Sequence, residues 1–197
     1  MINPKRFEQI KNQLEKKYPL FEFLGTGMRS EVYRLNKNLV VKIERDDTDS
    51  KDRIKNEYDT LNILKKYKYF PKPFDYNPKL KYLIRDYVGG DLIKDVFDKE
   101  IFINCLKLCR CLDTEGINQS ELNNPYKHIF IAKDKIMMID FERARKMKNP
   151  HNVSQFIAYI MKKYRIKDDI LINLVKEYKK KYDEASFKRI LERITSF

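Results

Sequence analysis

The chain has 197 residues, 42% hydrophobic and 13% aromatic, enough apolar mass to bury a core in one domain or two small lobes. Lys plus Arg number 42 against 29 Asp plus Glu, and the net charge of +13 favours polyanions such as nucleotides, RNA or acidic protein surfaces without choosing among them. No apolar run approaches the ~20 residues of a membrane span, and the N-terminus is charged where a signal peptide needs an apolar core, so a cytoplasmic protein without a membrane partner is expected.

Asn3 followed by Pro4 reads as a helix cap with proline in the first turn. Phe7, Ile10 and Leu14 then share a helical face, predicting a short helix packed on the first lobe and ending near Tyr18-Pro19. From Phe21 the period becomes strand-like, interrupted by Gly25-Thr26-Gly27-Met28-Arg29-Ser30-Glu31-Val32-Tyr33. Two glycines two apart let the backbone approach a ligand and aim its amides at phosphate oxygens; a plain hairpin turn is the simpler alternative. A strand after the turn, where a dinucleotide fold would have a helix, argues against that fold.

Residues 39–43 form the next expected strand, with Lys42 set between Val41 and Ile43. Strict alternation points Lys42 away from those two, beneath the glycine turn, unless it simply lies at a solvent edge. A polar loop and cap at 46–50 leads to a helix with Ile54, Tyr58, Leu61 and Leu64 on one face. Glu57 adjoins that stripe and can turn inward to hold Lys42, or stay in water. Pro71 and Pro73 break the helix, strands follow near 74–76 and 81–87, and Gly89-Gly90 softens the connection to a second lobe. The expected division is 1–88 and 89–197.

Beyond it, Asp91 can cap a short helix to about residue 97, and a longer one spans 99–115 with Phe102, Cys105, Leu106, Cys109 and Leu112 inward and Gly116 as its stop. Cys105, Cys109 and Cys111 have no histidine beside them, so buried thiols are expected rather than a metal site. A polar stretch from 118 to 128 precedes two strands, 129–132 and 135–139, that end in Asp140-Phe141-Glu142. A carboxylate just past a buried strand is well placed to hold a divalent cation against a polyphosphate, and Glu121 is expected beside it. Helices are predicted at 153–164, 167–182 and 184–195, with Ile170, Leu171, Leu174, Val175 and Tyr178 as the middle one's core stripe.

The order of these parts resembles the protein-kinase fold over about residues 20 to 165. The Gly25 to Tyr33 segment looks like the phosphate-covering loop, and Ser30 in the third glycine's place is similar to RIO-type kinases. Val40-Val41-Lys42-Ile43 matches the strand lysine, and Glu57 its helix partner. Arg85-Asp86-Tyr87-Val88-Gly89-Gly90 looks like the hinge, and Ile139-Asp140-Phe141-Glu142 like the metal-binding motif with Glu for Gly. The nearest group is the reduced archaeal "predicted serine/threonine protein kinase" set, close to the RIO and tRNA-modification-complex kinases.

This resemblance implies an α+β, bilobal fold with a small antiparallel N-lobe sheet and a shortened helical C-lobe. It implies ATP and Mg²⁺ as cofactors. Gly25, Thr26, Gly27, Ser30, Val32, Lys42 and Glu57 would serve the phosphates, Asp86 and Val88 the adenine through their main chain, and Asp91 the ribose. Asp140 would carry metal. The family's His-Arg-Asp reads Gln119-Ser120-Glu121, so Glu121 would be base or water-positioner; its metal-binding Asn would fall at Tyr126, leaving His128, Asn123 or Asn124 as candidates. Histidine suits Mg²⁺ poorly, and little more than ten residues separate Asp140 from the next helix, which leaves out the usual peptide platform. The expected function is an atypical serine/threonine protein kinase or ATPase with an unknown protein or small-molecule phosphoacceptor. The alternative is a degenerate nucleotide-binding module, held to RNA or ribosomal particles through Arg143, Arg145, Lys146, Lys148 and the lysines of the last helices. A small-molecule phosphotransferase is a third reading.

Overall fold

The computed structural model describes residues 1–47, 52–93, 98–122, 124–132 and 135–196. They divide into two compact units, Met1–Gly89 with Met137–Arg143, and Gly90–Ile136 with Ala144–Phe197.

The first unit opens with α1 (Pro4–Glu15), capped by the Asn3 side chain, which accepts from the amides of Lys5 and Arg6 at 3.0 and 3.3 Å. Five strands follow in the antiparallel order β1-β2-β3-β5-β4: β1 (Glu22–Thr26), β2 (Ser30–Arg34), β3 (Leu39–Glu44), β4 (Pro73–Asn77) and β5 (Tyr82–Asp86). Alternation decides the layering. Tyr33, Val41, Ile43, Tyr82 and Ile84 form one buried cluster with Ile10 and Leu14 of α1. Each fully buried aliphatic side chain there contributes about 1.5–3 kcal/mol, so Leu14→Ala would loosen α1 from the sheet. Lys42 belongs to the opposite face, where α2 (Arg53–Leu64) buries Ile54, Glu57, Leu61 and Leu64.

The start of α2 departs from expectation. Its cap residue, Asp52, has φ +61° and makes no capping bond; the buried Glu44 carboxylate of β3 accepts the Ile54 amide instead, at 3.1 Å. Residues 48–51 of the expected polar loop lie outside the described residues.

In the second unit the helix expected from Asp91 is replaced at its start by strand β6 (Asp91–Leu92), paired antiparallel with β8 (Ile129–Ala132). Gly90 has φ +125°, and a Cβ there would stand 2.3 Å from the Ile131 carbonyl oxygen, so the chain enters the pairing at a place where only glycine fits. Residues 94–97 are outside the described residues. α3 (Lys99–Thr114) is capped by Asp98, which accepts the Ile101 amide, and stops at Gly116 with φ +67°. Its predicted stripe is buried throughout, but Cys111 is only half-buried because it faces away from that stripe.

Strand β7 (Ile117–Asn118) pairs with β10 (Arg145–Lys146), giving order to the beginning of the stretch expected to be irregular. Strand β9 (Lys135–Met138) returns the chain to the first unit. The last helices are α4 (Asn152–Lys163), α5 (Asp169–Lys181) and α6 (Glu184–Thr195); α3 packs on α4 and α6, and α5 on α6. Ile170, expected in the core stripe of α5, is 57% exposed: it stands in the first turn, one position off the buried Leu171–Tyr178 side.

A polar knot ties these helices together. Asp113 of α3 accepts from the amides of Asn152 and Val153, the Asn152 side chain and the Tyr178 hydroxyl. Asn152 in turn donates to the Ile117 carbonyl and accepts the Gln119 amide. Burial raises the Asp113 carboxyl above its usual range, while the bonds from Tyr178 and Asn152 oppose that rise. Among the described residues no helix is long and apolar enough to cross a membrane.

Candidate functional site

Strand register assembles the centre of the first unit. Gly25 pairs with Val32, Val32 with Lys42, and Lys42 with Leu83. Directly paired residues share a face, so these four form a row across the sheet. The β1–β2 turn is closed by the Gly27 amide donating to the Ser30 carbonyl at 2.8 Å. A Cβ on Gly25 would meet nothing within 4 Å, and one on Gly27 would meet only Ser30, at 3.6 Å. Packing inside the chain therefore does not demand either glycine. Ser30 is buried, Val32 half-buried and Thr26 exposed, with its hydroxyl donating to the Gly27 carbonyl.

Lys42 is buried in a ring of acids. Its ammonium lies 2.6 Å from Glu57 Oε2, 2.9 Å from Asp140 Oδ1 and 3.4 Å from Glu142 Oε2. Burial alone would lower the ammonium's pKa; the charges of Glu57, Asp140 and Glu142 outweigh it and raise the pKa well above the usual lysine value. The ammonium donates hydrogen bonds to Glu57 and Asp140 and faces Glu142 as an ion pair. Glu57 is 0% exposed, and its second oxygen faces the Arg85 guanidinium at 3.5 Å.

Asp140 is held from both sides in an unusual backbone conformation. Its φ is +73°, a left-handed geometry that costs a non-glycine residue ~1–2 kcal/mol. The segment around it is fastened to the first unit: the Met138 amide donates to the Tyr69 carbonyl, and the buried Phe141 packs edge-on against Phe70. The Asn56 amide group donates to the carbonyls of Phe141 and Glu142 at 3.2 and 3.1 Å, and Arg53 also donates to Glu142. The carboxylate expected from the helical half is thus delivered by a segment that packs with the sheet.

Sequence reasoning passed over three members of this cluster. Glu142 bridges Lys42 and Arg29, its Oε1 lying 3.4 Å from the Arg29 guanidinium. Arg29 sits in the glycine turn, and its charge opposite a second motif acid was the available signal. Arg85 gave a fainter one, a cation inside an otherwise apolar strand.

At the connection after β5, the Asp86 amide already donates to the Lys72 carbonyl and the Tyr87 amide to Asn38. The Asp86 carbonyl accepts from Arg85 at 2.9 Å. Among the described residues Val88 makes no backbone hydrogen bond. A hollow of about 980 Å³ is lined by Leu20, Asn38, Phe74, Asp86 and Tyr87; Lys42 is not among its walls.

In the second unit Glu121 and His128 are brought together, Oε2 to Nε2 at 2.9 Å. The knot around Asp113 and Asn152 fixes residues 117–119 just ahead of Glu121. Asp91 is exposed within β6, and Asn123 lies outside the described residues.

No protein-family model matches the chain. An uncharacterized protein of Methanocaldococcus jannaschii is 27% identical over 113 residues, which cover 49% of this chain and 97% of that protein. Among solved structures, the Rio2 kinase–ADP/Mg²⁺–phosphoaspartate complex from Chaetomium thermophilum matches with a TM-score of 0.66 and 14% identity, over 98% of this chain and 72% of that one. The Cydia pomonella granulovirus kinase PK-1 matches at 0.52 and 18% identity, over 74% and 59% of the two chains. The streptomycin–ATP–APH(2″)-IIa ternary complex matches at 0.50 and 15% identity, over 100% and 98%. At such identities the likeness is one of fold: the chain has a protein-kinase-like, phosphotransferase-type α+β fold.

Proposed function

We propose that the protein is an ATP- and Mg²⁺-dependent phosphotransferase, an atypical serine/threonine protein kinase in its reaction class. The observation that carries this reading is the Lys42–Glu57–Asp140 cluster, set beneath a Gly-x-Gly turn in a kinase-like fold. Phosphoryl transfer asks mainly for placement and charge neutralisation, and these groups supply both.

The donor set fits the cofactors. The open space at Gly25 and Gly27 suits close approach of phosphate oxygens to the turn's backbone, and Asp140 offers the oxygen ligand that Mg²⁺ prefers. When bound, Mg²⁺ would neutralise phosphate charge as the bond to the leaving group lengthens. Lys42 would hold phosphate oxygens, kept in position by Glu57, with Glu142 as the carboxylate it must give up to do so. Thr26, Ser30 and Val32 shape the turn and the sheet beneath it. The Val88 main chain and the Asp86 carbonyl would meet the adenine, and Asp91 the ribose. Glu121, oriented by its bond to His128, would accept the proton of the attacking hydroxyl or water. As metal ligands we retain Asp140 first, with His128 and Asn123 as secondary candidates. The acceptor is a protein or small-molecule hydroxyl.

The test is turnover of γ-³²P-ATP by wild type, Lys42→Ala and Asp140→Asn. Mg²⁺-dependent release or transfer of label by the wild type, lost in both variants by about a hundredfold or more, supports the reading. Binding without turnover in the wild type leaves the degenerate nucleotide-binding module, and label transfer that persists in Asp140→Asn refutes the metal assignment.

A further inference from the structure

The second unit carries a groove that the phosphate chemistry does not use. α4 is packed on α3 and α5 on α6, and between α4 and α5 runs a hollow of about 460 Å³. Met161, Ile172 and Val175 make its apolar floor, and Ile172 is 37% exposed. Lys176 and Lys179 stand on its rim, three residues apart on one side of α5. Both are exposed, and neither enters an ion pair among the described residues; the nearby Glu177 is already taken by Lys181 and Arg189.

Two further atoms separate this groove from an ordinary gap between helices. The imidazole Nδ1 of His151, the residue just before α4, and the amide oxygen of Gln155 in its first turn both belong to groove-lining residues and are buried without a hydrogen-bond partner. Each such atom costs ~1–3 kcal/mol, and native chains leave few of them unexplained. Both atoms are closed to solvent on half-buried side chains, so they meet a docked backbone only when those side chains turn toward the groove; a peptide, with one donor and one acceptor per residue, can then give an N–H to Gln155 and complete His151. Apolar side chains would cover the floor, and carboxylates would meet the two lysines.

We propose that this groove docks a short segment of a partner protein in which acidic residues flank apolar ones. A nucleic acid fits less well, because His151 carries the single ring among the described lining residues and the floor is aliphatic, so successive bases would find no platform on which to stack. The proposal does not depend on phosphoryl transfer, so either can fail without the other.

The experiment is selection of a random peptide display library on the protein and, in parallel, on the Lys176→Glu/Lys179→Glu double variant, whose sites are exposed and whose folding is checked by circular dichroism. Wild type is expected to enrich peptides with Asp or Glu beside Leu, Ile or Val. A synthetic copy of one should then bind at least about tenfold more weakly to the double variant and to Ile172→Ser. Failure to enrich any such sequence, equal enrichment on both proteins, or displacement of the selected peptide by an oligouridylate would each overturn the proposal.

Discussion

Replacing Lys42 with alanine strips three carboxylates of a shared cation, but they do not suffer equally. Asp140 is 29% exposed and Glu142 12%, so both can relax toward water, whereas Glu57 has no exposed surface. Breaking a buried ion pair by removing one partner costs about 3–5 kcal/mol, because the other charge is left uncompensated. The Arg85 guanidinium, 3.5 Å from the second Glu57 oxygen, remains and moves the expectation to the lower end. For a chain of this size ~3 kcal/mol corresponds to a fall in Tm of roughly 6–12 °C. Thermal unfolding followed by circular dichroism gives the number. The double variant Lys42→Met/Glu57→Met should recover only part of the loss: an apolar pair replaces the ionic one, but the buried Arg85 guanidinium loses the Glu57 carboxylate it faces. Because the folded-state pKa of Lys42 is raised, its contribution is fully present below the ordinary value of 10.5 and fades only as pH climbs through the higher one. The gap between wild type and Lys42→Ala should thus stay flat from about pH 6 to pH 9. A Tm within about 1 °C of wild type, or a gap that opens across neutral pH, would refute the buried-cluster reasoning.

Glu142→Gln removes the carboxylate that spans Lys42 and Arg29, and equilibrium dialysis without Mg²⁺ should then show ATP bound several-fold more tightly; weaker binding would mean Glu142 does not compete with phosphate. Asp113→Ala leaves the Asn152 and Val153 amides, the Asn152 side chain and the Tyr178 hydroxyl without their acceptor. A loss of about 3 kcal/mol or more in urea denaturation is expected, with a loss under about 1 kcal/mol contradicting the knot's role. Burial pushes the Cys105 and Cys109 thiols well above the ordinary cysteine value, so iodoacetamide on the native protein should label Cys111 alone, and all three only after unfolding.

Much of this was legible because periodicity and caps are local. The α1 start follows from Asn3-Pro4, the inward side of α3 from its apolar spacing, and the orientation of Lys42 from its place between two core residues. What stayed hidden depends on contacts between distant segments. Glu44 caps α2 from a strand, a role that no neighbouring residue announces. β6 forms where a helix was expected because its partner, β8, is nearly forty residues away. Asp140 was marked as the key carboxylate, but its left-handed backbone and its attachment to α2 through Asn56 and Arg53 exist only once the segment folds back. Arg29 and Arg85 left only a faint trace for a related reason: a cation's importance lies in the anion it faces.

The measurement closest to the central claim is the Mg²⁺ dependence of ATP binding, by calorimetry, to wild type and Asp140→Asn. Asparagine tolerates the left-handed backbone at this position, so the variant removes charge while leaving the conformation accessible. Wild type should bind ATP at least about tenfold more tightly with Mg²⁺ than without it, and Asp140→Asn should lose that enhancement. The same enhancement in both proteins would contradict the assignment of Asp140 and, with it, the phosphate site built around Lys42.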